Sequence, residues 1–233
     1  MDGFTDLAAG KEGAPILIEQ IEAETLSKSG FKYTPVSVGR SNGPDPSLIC
    51  YDGCACRIQS CVESVGSGSA TACSCLSRFR VNYELSDAIN SKVLVENKLT
   101  GRSTLPIFEC NALCKCGDAC RNREVQHGVK RQLQIFRTGS RGLGVKTLSG
   151  LHRGEFVCEY AGEVITEPEA SSRAAQQKAT DMNYVISVRE HLGSGITATY
   201  VDPRTHGNVG RFINHSCDPN LLMLPVRVDS DIP

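Results

Sequence analysis

Twelve of the 233 residues are cysteines, and nine of them fall in two clusters. Cys54, Cys56, Cys61, Cys73 and Cys75 form the first; Cys110, Cys114, Cys116 and Cys120 form the second. The repeated C-x-C pairs (54/56, 73/75, 114/116) are poorly placed for disulfides with each other but can present two thiolates to neighbouring metal ions. All-thiolate tetrahedral sites select zinc or iron–sulfur. Two separate four-cysteine sites would strand one sulfur, whereas three zinc ions sharing three bridging thiolates use all nine. Such a cluster carries a net charge of about −3, which Lys115, Arg121 and Arg123 are placed to offset. The competing reading, a disulfide framework, requires an oxidising compartment.

The rest of the chain must hold these groups. Its length suits one large domain or two small ones, and its 40% hydrophobic content is that of a folded protein. Residues 1–24 lack a basic start with an apolar stretch behind it, and no apolar run approaches the roughly 20 residues of a membrane helix, so an intracellular, thiol-reducing setting with no membrane partner is expected. The net charge of −1 excludes a whole-chain field for nucleic acid. Basic residues concentrate between Lys115 and Arg153, read as a solvated surface with cluster counter-charges ahead of a DNA-binding face, because stacking aromatics are sparse there.

Three parts are expected: an N-terminal extension over 1–49, a zinc-cluster region over 50–125 that depends on metal to fold, and a mostly β domain over 126–233. The periodicity of residues 14–27 predicts one short amphipathic helix, and 39–46 read as loop. A glycine–serine loop spans 65–70, and 83–106 form a longer excursion between the clusters. Strands are predicted at 133–136, 144–148, 155–165, 184–188 and 197–201. Thr166, Pro168 and Glu169 mark a helix start, with the helix running to about Lys178.

Four segments of the second half then appear in order: Arg141-Gly142-Leu143-Gly144, the run from Phe156 to Glu163 through Cys158, Glu159 and Tyr160, Asn183-Tyr184, and the run from Gly210 to Asn220 containing Asn214-His215-Ser216-Cys217-Asp218-Pro219-Asn220. Together these resemble the SET-domain protein lysine methyltransferases, and the cysteine clusters resemble the pre-SET region of the suppressor-of-variegation type, which methylates lysine nine of histone H3. The resemblance implies a SET-domain β-clip fold of several short sheets with few short helices. It implies S-adenosylmethionine (SAM) as methyl donor, three Zn2+ on the nine cysteines, and Tyr160 orienting a lysine amine whose ordinary pKa near 10.4 must fall in a dry channel. It further implies cofactor contacts from Arg141, Gly142, Leu143, Tyr184, Arg211, Asn214 and His215, with catalysis by in-line alignment. Taken singly, Tyr160 would be an ordinary strand tyrosine, the glycines a turn, and His215 a core histidine. A histone H3 tail is expected to add as a strand to a sheet edge, placing the protein on nucleosomes and chromatin in the nucleus and on the chromosome. A non-catalytic chromatin-binding module is the alternative.

Several departures from the pattern shape further expectations. The family continues past the position of Pro233 into another active-site tyrosine and three cysteines that join Cys217 on a fourth zinc, so that zinc is not expected here, apolar surface is expected around Phe212, Ile213 and Leu221, and impaired activity follows. Cys50 is read as an extra thiol and Cys158 as a packing residue.

Overall fold

A computed structural model of the chain describes residues 3–40, 43–57, 60–64, 73–88, 90–101, 106–178, 182–192 and 195–233. The glycine–serine loop expected over 65–70 lies outside the described residues. In chain order the elements are β1 (Phe4–Asp6), β2 (Ile16–Glu19), α1 (Gln20–Lys28), β3 (Lys32–Tyr33), α2 (Ser74–Phe79), β4 (Tyr83–Ser86), β5 (Ser91–Leu94), α3 (Glu96–Leu99) and β6 (Ile107–Phe108). They continue with β7 (Leu133–Arg137), β8 (Leu143–Thr147), β9 (Gly162–Ile165), α4 (Glu167–Ala175), β10 (Ile186–Leu192), β11 (Gly195–Gly207) and β12 (Val226–Arg227). Short sheets dominate and the helices are brief, as expected for the β-clip class.

The first sheet runs β1-β2-β7-β8, with β2 parallel to β7 through Ile16 opposite Leu133. Alternation explains which faces are buried: Ile16 and Ile18 on β2, and Leu133 and Ile135 on β7, all point into one core with Phe31, Val209 and Phe212. This corrects the helix expected over 14–27. Ile16, Leu17 and Ile18 are a stiff, half-buried alternating run whose partner β7 lies more than a hundred residues away, so strand pairing wins and helix begins only at Gln20. Asp6 closes the β1–β2 connection, its carboxylate accepting from the amides of Ala8, Gly10 and Ile16.

The second sheet has the order β10-β11-β3, with β9 also pairing β11. β11 is far longer than the strand expected at 197–201; its register against β9 shifts between Asp202 and Gly207, and Pro203 sits in that irregular stretch. Of the strand expected over 155–165 only β9 forms a ladder. The reason is a close crossing: a Cβ on Gly210 would stand 2.7 Å from the Glu159 carbonyl oxygen and 3.1 Å from the Tyr160 Cα, so another backbone occupies the place of a partner strand. Asn208, buried at the crossing, binds it together, accepting from the Gly210 amide (2.9 Å) and the Ala161 amide (3.4 Å) and donating to the Pro35 carbonyl (3.3 Å).

The helix expected after Thr166 forms as α4, with Thr166 Oγ1 accepting from the Glu169 amide. Its Arg173 reaches Asp202 (2.6 Å), Glu163 (2.9 Å) and Glu169 (2.8 Å), pinning α4 to the second sheet. The excursion at 83–106 contains the β4–β5 hairpin and α3, where Tyr83, Leu94 and Ile107 make a small separate core with Leu224 and Val226.

Candidate metal centre and cofactor site

The two cysteine clusters meet. Cys54 Sγ lies 3.5 Å from Cys61 Sγ, Cys61 Sγ lies 3.7 Å from Cys110 Sγ, and Cys75 Sγ lies 3.7 Å from Cys114 Sγ. A tetrahedral zinc with bonds of about 2.3 Å sets sulfur–sulfur edges of about 3.8 Å, while a disulfide needs about 2.05 Å. None of the twelve cysteines is disulfide-bonded, which removes the disulfide framework. Three four-sulfur groups each fall within 4.8 Å: Cys54, Cys75, Cys110 and Cys114; Cys54, Cys61, Cys110 and Cys116; and Cys54, Cys56, Cys61 and Cys73. The groups overlap in Cys54, Cys61 and Cys110, as shared ligands require. Cys120 falls in none of them but is buried beside them, its sulfur accepting from the Cys61 amide at 3.3 Å.

Backbone and side-chain donors surround the sulfurs. The amides of Cys54 and Asn111 point at Cys114 Sγ, both at 3.3 Å, and Asn122 Nδ2 reaches Cys110 Sγ at 3.5 Å. Hydrogen bonds from Cys110 hold Cys114 and Cys120 well below the ordinary thiol range, whereas hydrogen bonding with Cys114 drives Cys110 far up. Packed this closely the thiols cannot ionise together, and a bound cation relieves that conflict. The donor set therefore fits soft-ligand metal binding.

Of the expected counter-charges, only Arg123 is buried against the cage, with Nη2 3.7 Å from Cys116 Sγ and further bonds to the carbonyls of Cys110 and Asn111. Lys115 is exposed and Arg121 half-buried. Sequence reasoning missed Lys92, whose ammonium donates to the carbonyls of Cys120 (3.1 Å) and Arg123 and is held below its ordinary value by burial. Four other basic residues of the stretch form ion pairs: Lys130 with Glu124, Arg131 with Glu155, Arg137 with Glu22 and Arg153 with Glu96.

A second constellation forms where β8, the crossing and the segment leading into β10 come together. Gly142 has φ +65° in the turn before β8, and its carbonyl accepts from the Thr138 amide at 2.8 Å. That turn faces Asn214 and His215: Asn214 Nδ2 donates to the Leu143 carbonyl (2.9 Å), and Arg141 Nη1 donates to the His215 carbonyl (3.1 Å). His215 is exposed, which removes the core-histidine reading. Arg211 is sandwiched by aromatic faces, with its guanidinium carbon 4.4 Å from the Tyr184 ring, 4.7 Å from Phe31 and 5.2 Å from Phe212. Its Nε is buried with no hydrogen-bond partner. Phe31 was not among the expected site residues; only its place in the chain's third dimension reveals it.

Tyr160 is half-buried between these groups, and its hydroxyl donates to the Tyr184 carbonyl at 2.7 Å. Burial pushes it up to about 12, although the Arg211 charge pulls the other way. The eight expected residues thus fall into two linked groups, Tyr160 with Tyr184 and Arg211, and the 141–143 turn with Asn214 and His215. Behind them Glu159, raised by burial, accepts from the Ser37 amide and hydroxyl, both at 3.1 Å. Asn208 also escaped sequence reasoning, although an asparagine two residues before a glycine is a turn signal.

Cys217 is exposed, 4.0 Å from His215 Nε2, and Cys50 is exposed; neither joins a sulfur group among the described residues. Cys158 packs against the first core, as expected. The expected apolar surface is shifted: Phe212 is buried and Ile213 half-buried, and the exposed residues are Leu221, Leu222 and Met223. No helix among the described residues is long and apolar enough to cross a membrane.

Comparison with known proteins identifies the family. The SET domain model matches residues 142–231, and the Pre-SET motif model matches residues 8–123. The histone-lysine N-methyltransferase SETMAR of Mus musculus is 45% identical over 230 residues, covering 98% of this chain and 70% of the relative. The chain belongs to the pre-SET and SET-domain histone-lysine N-methyltransferases. The crystal structure of the methyltransferase domain of human SETMAR aligns with a TM-score of 0.79 at 41% identity, over 98% of this chain and 76% of that one. Neurospora DIM-5, a SET domain histone lysine methyltransferase, aligns at 0.71 with 32% identity, over 86% and 78%. KRYPTONITE, solved with mCHH DNA, an H3(1-15) peptide and SAH, aligns at 0.71 with 28% identity, over 99% of this chain and 43% of that one. The segments Phe31-Lys32-Tyr33-Thr34-Pro35 and Leu221 to Ser230 also resemble SETMAR, in keeping with these matches. As a SET-domain enzyme of this family, the chain has the activity of a SAM-dependent protein lysine methyltransferase.

Proposed function

We propose that this SET-domain enzyme methylates a lysine of the histone H3 tail on chromatin in the nucleus, with Tyr160 as the residue that orients the amine. When bound, SAM supplies an electrophilic methyl on a sulfonium. The observation that carries the proposal is the Tyr160 hydroxyl: its proton is committed to the Tyr184 carbonyl, so its oxygen lone pairs are left to accept from a lysine amine. Held up near 12, the phenol stays protonated and cannot act as a general base, so its work is alignment. The Arg141-Gly142-Leu143 turn and Asn214-His215 would line the cofactor with backbone groups, Tyr184 would present a ring face, and Arg211 Nε is a donor left for a carboxylate.

The H3 tail would add to β10, which stands at an edge of the second sheet and whose chain leads directly from Tyr184. We further propose three Zn2+ shared among the nine cysteines, and the division 1–49, 50–125 and 126–233 as N-terminal extension, pre-SET and SET parts, the first lending β1, β2 and β3 to the sheets of the last. The test is transfer of labelled methyl from SAM to histone H3 and to variants with lysine nine or lysine thirty-six replaced by alanine. Label lost with one replacement identifies the site. Label unchanged in both excludes those two lysines as the site, and label absent with intact H3 while calorimetry shows SAM binding refutes the substrate assignment.

A further inference from the structure

The chain after the Asn214–Asn220 motif does not drift over the surface; it is stitched into the sulfur-cage region. β12 pairs parallel with β6, immediately before Cys110, with Val226 opposite Ile107 and Arg227 opposite Phe108. The Glu109 amide donates to the Arg227 carbonyl (2.9 Å), the Ala112 amide to Asp229 Oδ1 (2.9 Å) and the Cys50 amide to the Asp229 carbonyl (2.7 Å). Tyr51 hydrogen-bonds Asp231. From this strap one long side chain crosses to the other half of the molecule. Arg227, only 7% exposed, donates through Nη1 to Glu190 Oε1 at 3.0 Å and through Nη2 to Glu190 Oε2, a bidentate pair; its Nε is held by the Asp231 carbonyl at 3.0 Å, and Phe108 lies 5.6 Å from its guanidinium carbon. Glu190 is on β10.

We propose that Arg227 is a positioning residue for the peptide substrate: its bidentate grip on Glu190 sets where the β10 edge lies relative to the cage region, and so where an added substrate strand lies relative to Tyr160. The inference rests on the reading of β10 as the peptide edge. Three features favour a positioning role over simple surface pairing. The fork is bidentate and its third donor is also engaged, so the guanidinium has a single orientation. Both partners are largely buried, at 8% and 14% side-chain exposure, where such a pair is little screened. Apart from β11, β10 has no hydrogen-bonded neighbour strand among the described residues, so a side-chain tether is what can fix its far side. Arg227 touches none of Arg141, Tyr160, Tyr184, Arg211 or Asn214 through any hydrogen bond described above, so its effect should separate from cofactor binding.

The test compares the full chain with Glu190→Gln, Arg227→Lys and Arg227→Ala, measuring kcat and KM for an H3 peptide, Kd for SAM, zinc content and thermal midpoint. Glu190→Gln keeps the shape and removes the charge-assisted fork; the expected result is a peptide KM raised about tenfold, with SAM Kd and zinc content unchanged. Arg227→Lys keeps the charge but not the fork, and should give a similar KM rise rather than rescue. If peptide KM stays within twofold in both variants, or if peptide KM and SAM Kd move together, the positioning role is overturned. Arg227→Ala gauges the structural cost through its thermal midpoint. An H3 peptide N-methylated on alternate backbone amides tests the underlying edge reading by itself: binding equal to the unmodified peptide refutes strand addition, whereas lost binding together with an unmoved Glu190→Gln refutes only the tether.

Discussion

Replacing Tyr160 with phenylalanine isolates one atom whose two roles separate by assay. The hydroxyl is a 2.7 Å donor to the Tyr184 carbonyl in a half-buried place, so its loss leaves that carbonyl short of a partner at a cost of about 1–2 kcal/mol in stability. For a chain of this size that is a thermal midpoint lowered by roughly 2–8 °C. Tyr184 is also one of the rings stacked on Arg211, so a slackened Tyr184 backbone loosens that face by a small amount, and SAM affinity should fall by no more than about threefold. The effect on turnover is larger, because the amine loses the oxygen that aligns it; a misplacement on the order of 1 Å costs about 10²-fold. Steady-state transfer of labelled methyl to an H3 peptide at saturating SAM measures this directly, and the expected outcome is kcat lower by about two orders of magnitude with SAM Kd nearly unchanged. Because Tyr160 is held up near 12, the alkaline rise in rate should reflect the substrate amine and keep its position in the variant. A Tyr160→Phe enzyme with kcat within threefold of the parent, or a rise in the pH profile that vanishes with the hydroxyl, refutes the alignment role.

Other outcomes follow from the same geometry. Arg173→Ala should lower stability by about 2–3 kcal/mol in a calorimetric melt, since fully buried Asp202 keeps only Arg204 as an ion-pair partner and mostly buried Glu163 is left with His206 and Thr205. Burial alone would raise Asp202 and Glu163, but Arg204 and Arg173 outweigh it for Asp202, as Arg173 does for Glu163, and hold both below the ordinary carboxylate range. Their contribution is therefore complete above the unfolded values near 4 and lost as pH falls through the lower folded values, so melts repeated downward from pH 5 should show stability falling most steeply below about pH 4. Metal analysis should return close to three zinc per chain, and Cys54→Ser, altering a sulfur common to all three groups, should release metal and unfold the cage region by circular dichroism, whereas Cys217→Ser should leave the zinc content unchanged. Asn208→Ala should cost about 2 kcal/mol by denaturant titration, because the Gly210 amide and Pro35 carbonyl lose a partner where neither meets water easily.

Local chemistry was readable from the chain alone. The nine cysteines declared metal because ligand type and spacing are properties of short segments, and the cap at Thr166 and the alternating runs of β7 and β8 were legible for the same reason. The motif residues from Arg141 to His215 could be proposed as one site because their order along the chain resembles that of the family. What the tertiary structure decided is everything set by distant partners. Residues 16–18 became a strand because β7 offers an edge, the run from Glu155 to Ala161 lost its ladder because Gly210 and Asn208 cross it, and Phe31 and Lys92 gained roles at sites far from them in sequence. Arg227 and Glu190 are unremarkable in composition and acquire meaning only when two strands meet. A one-dimensional pattern encodes which groups are present and which face they take; the free energy of burying a charge or closing a crossing depends on what stands opposite, and that is fixed only when the chain has folded.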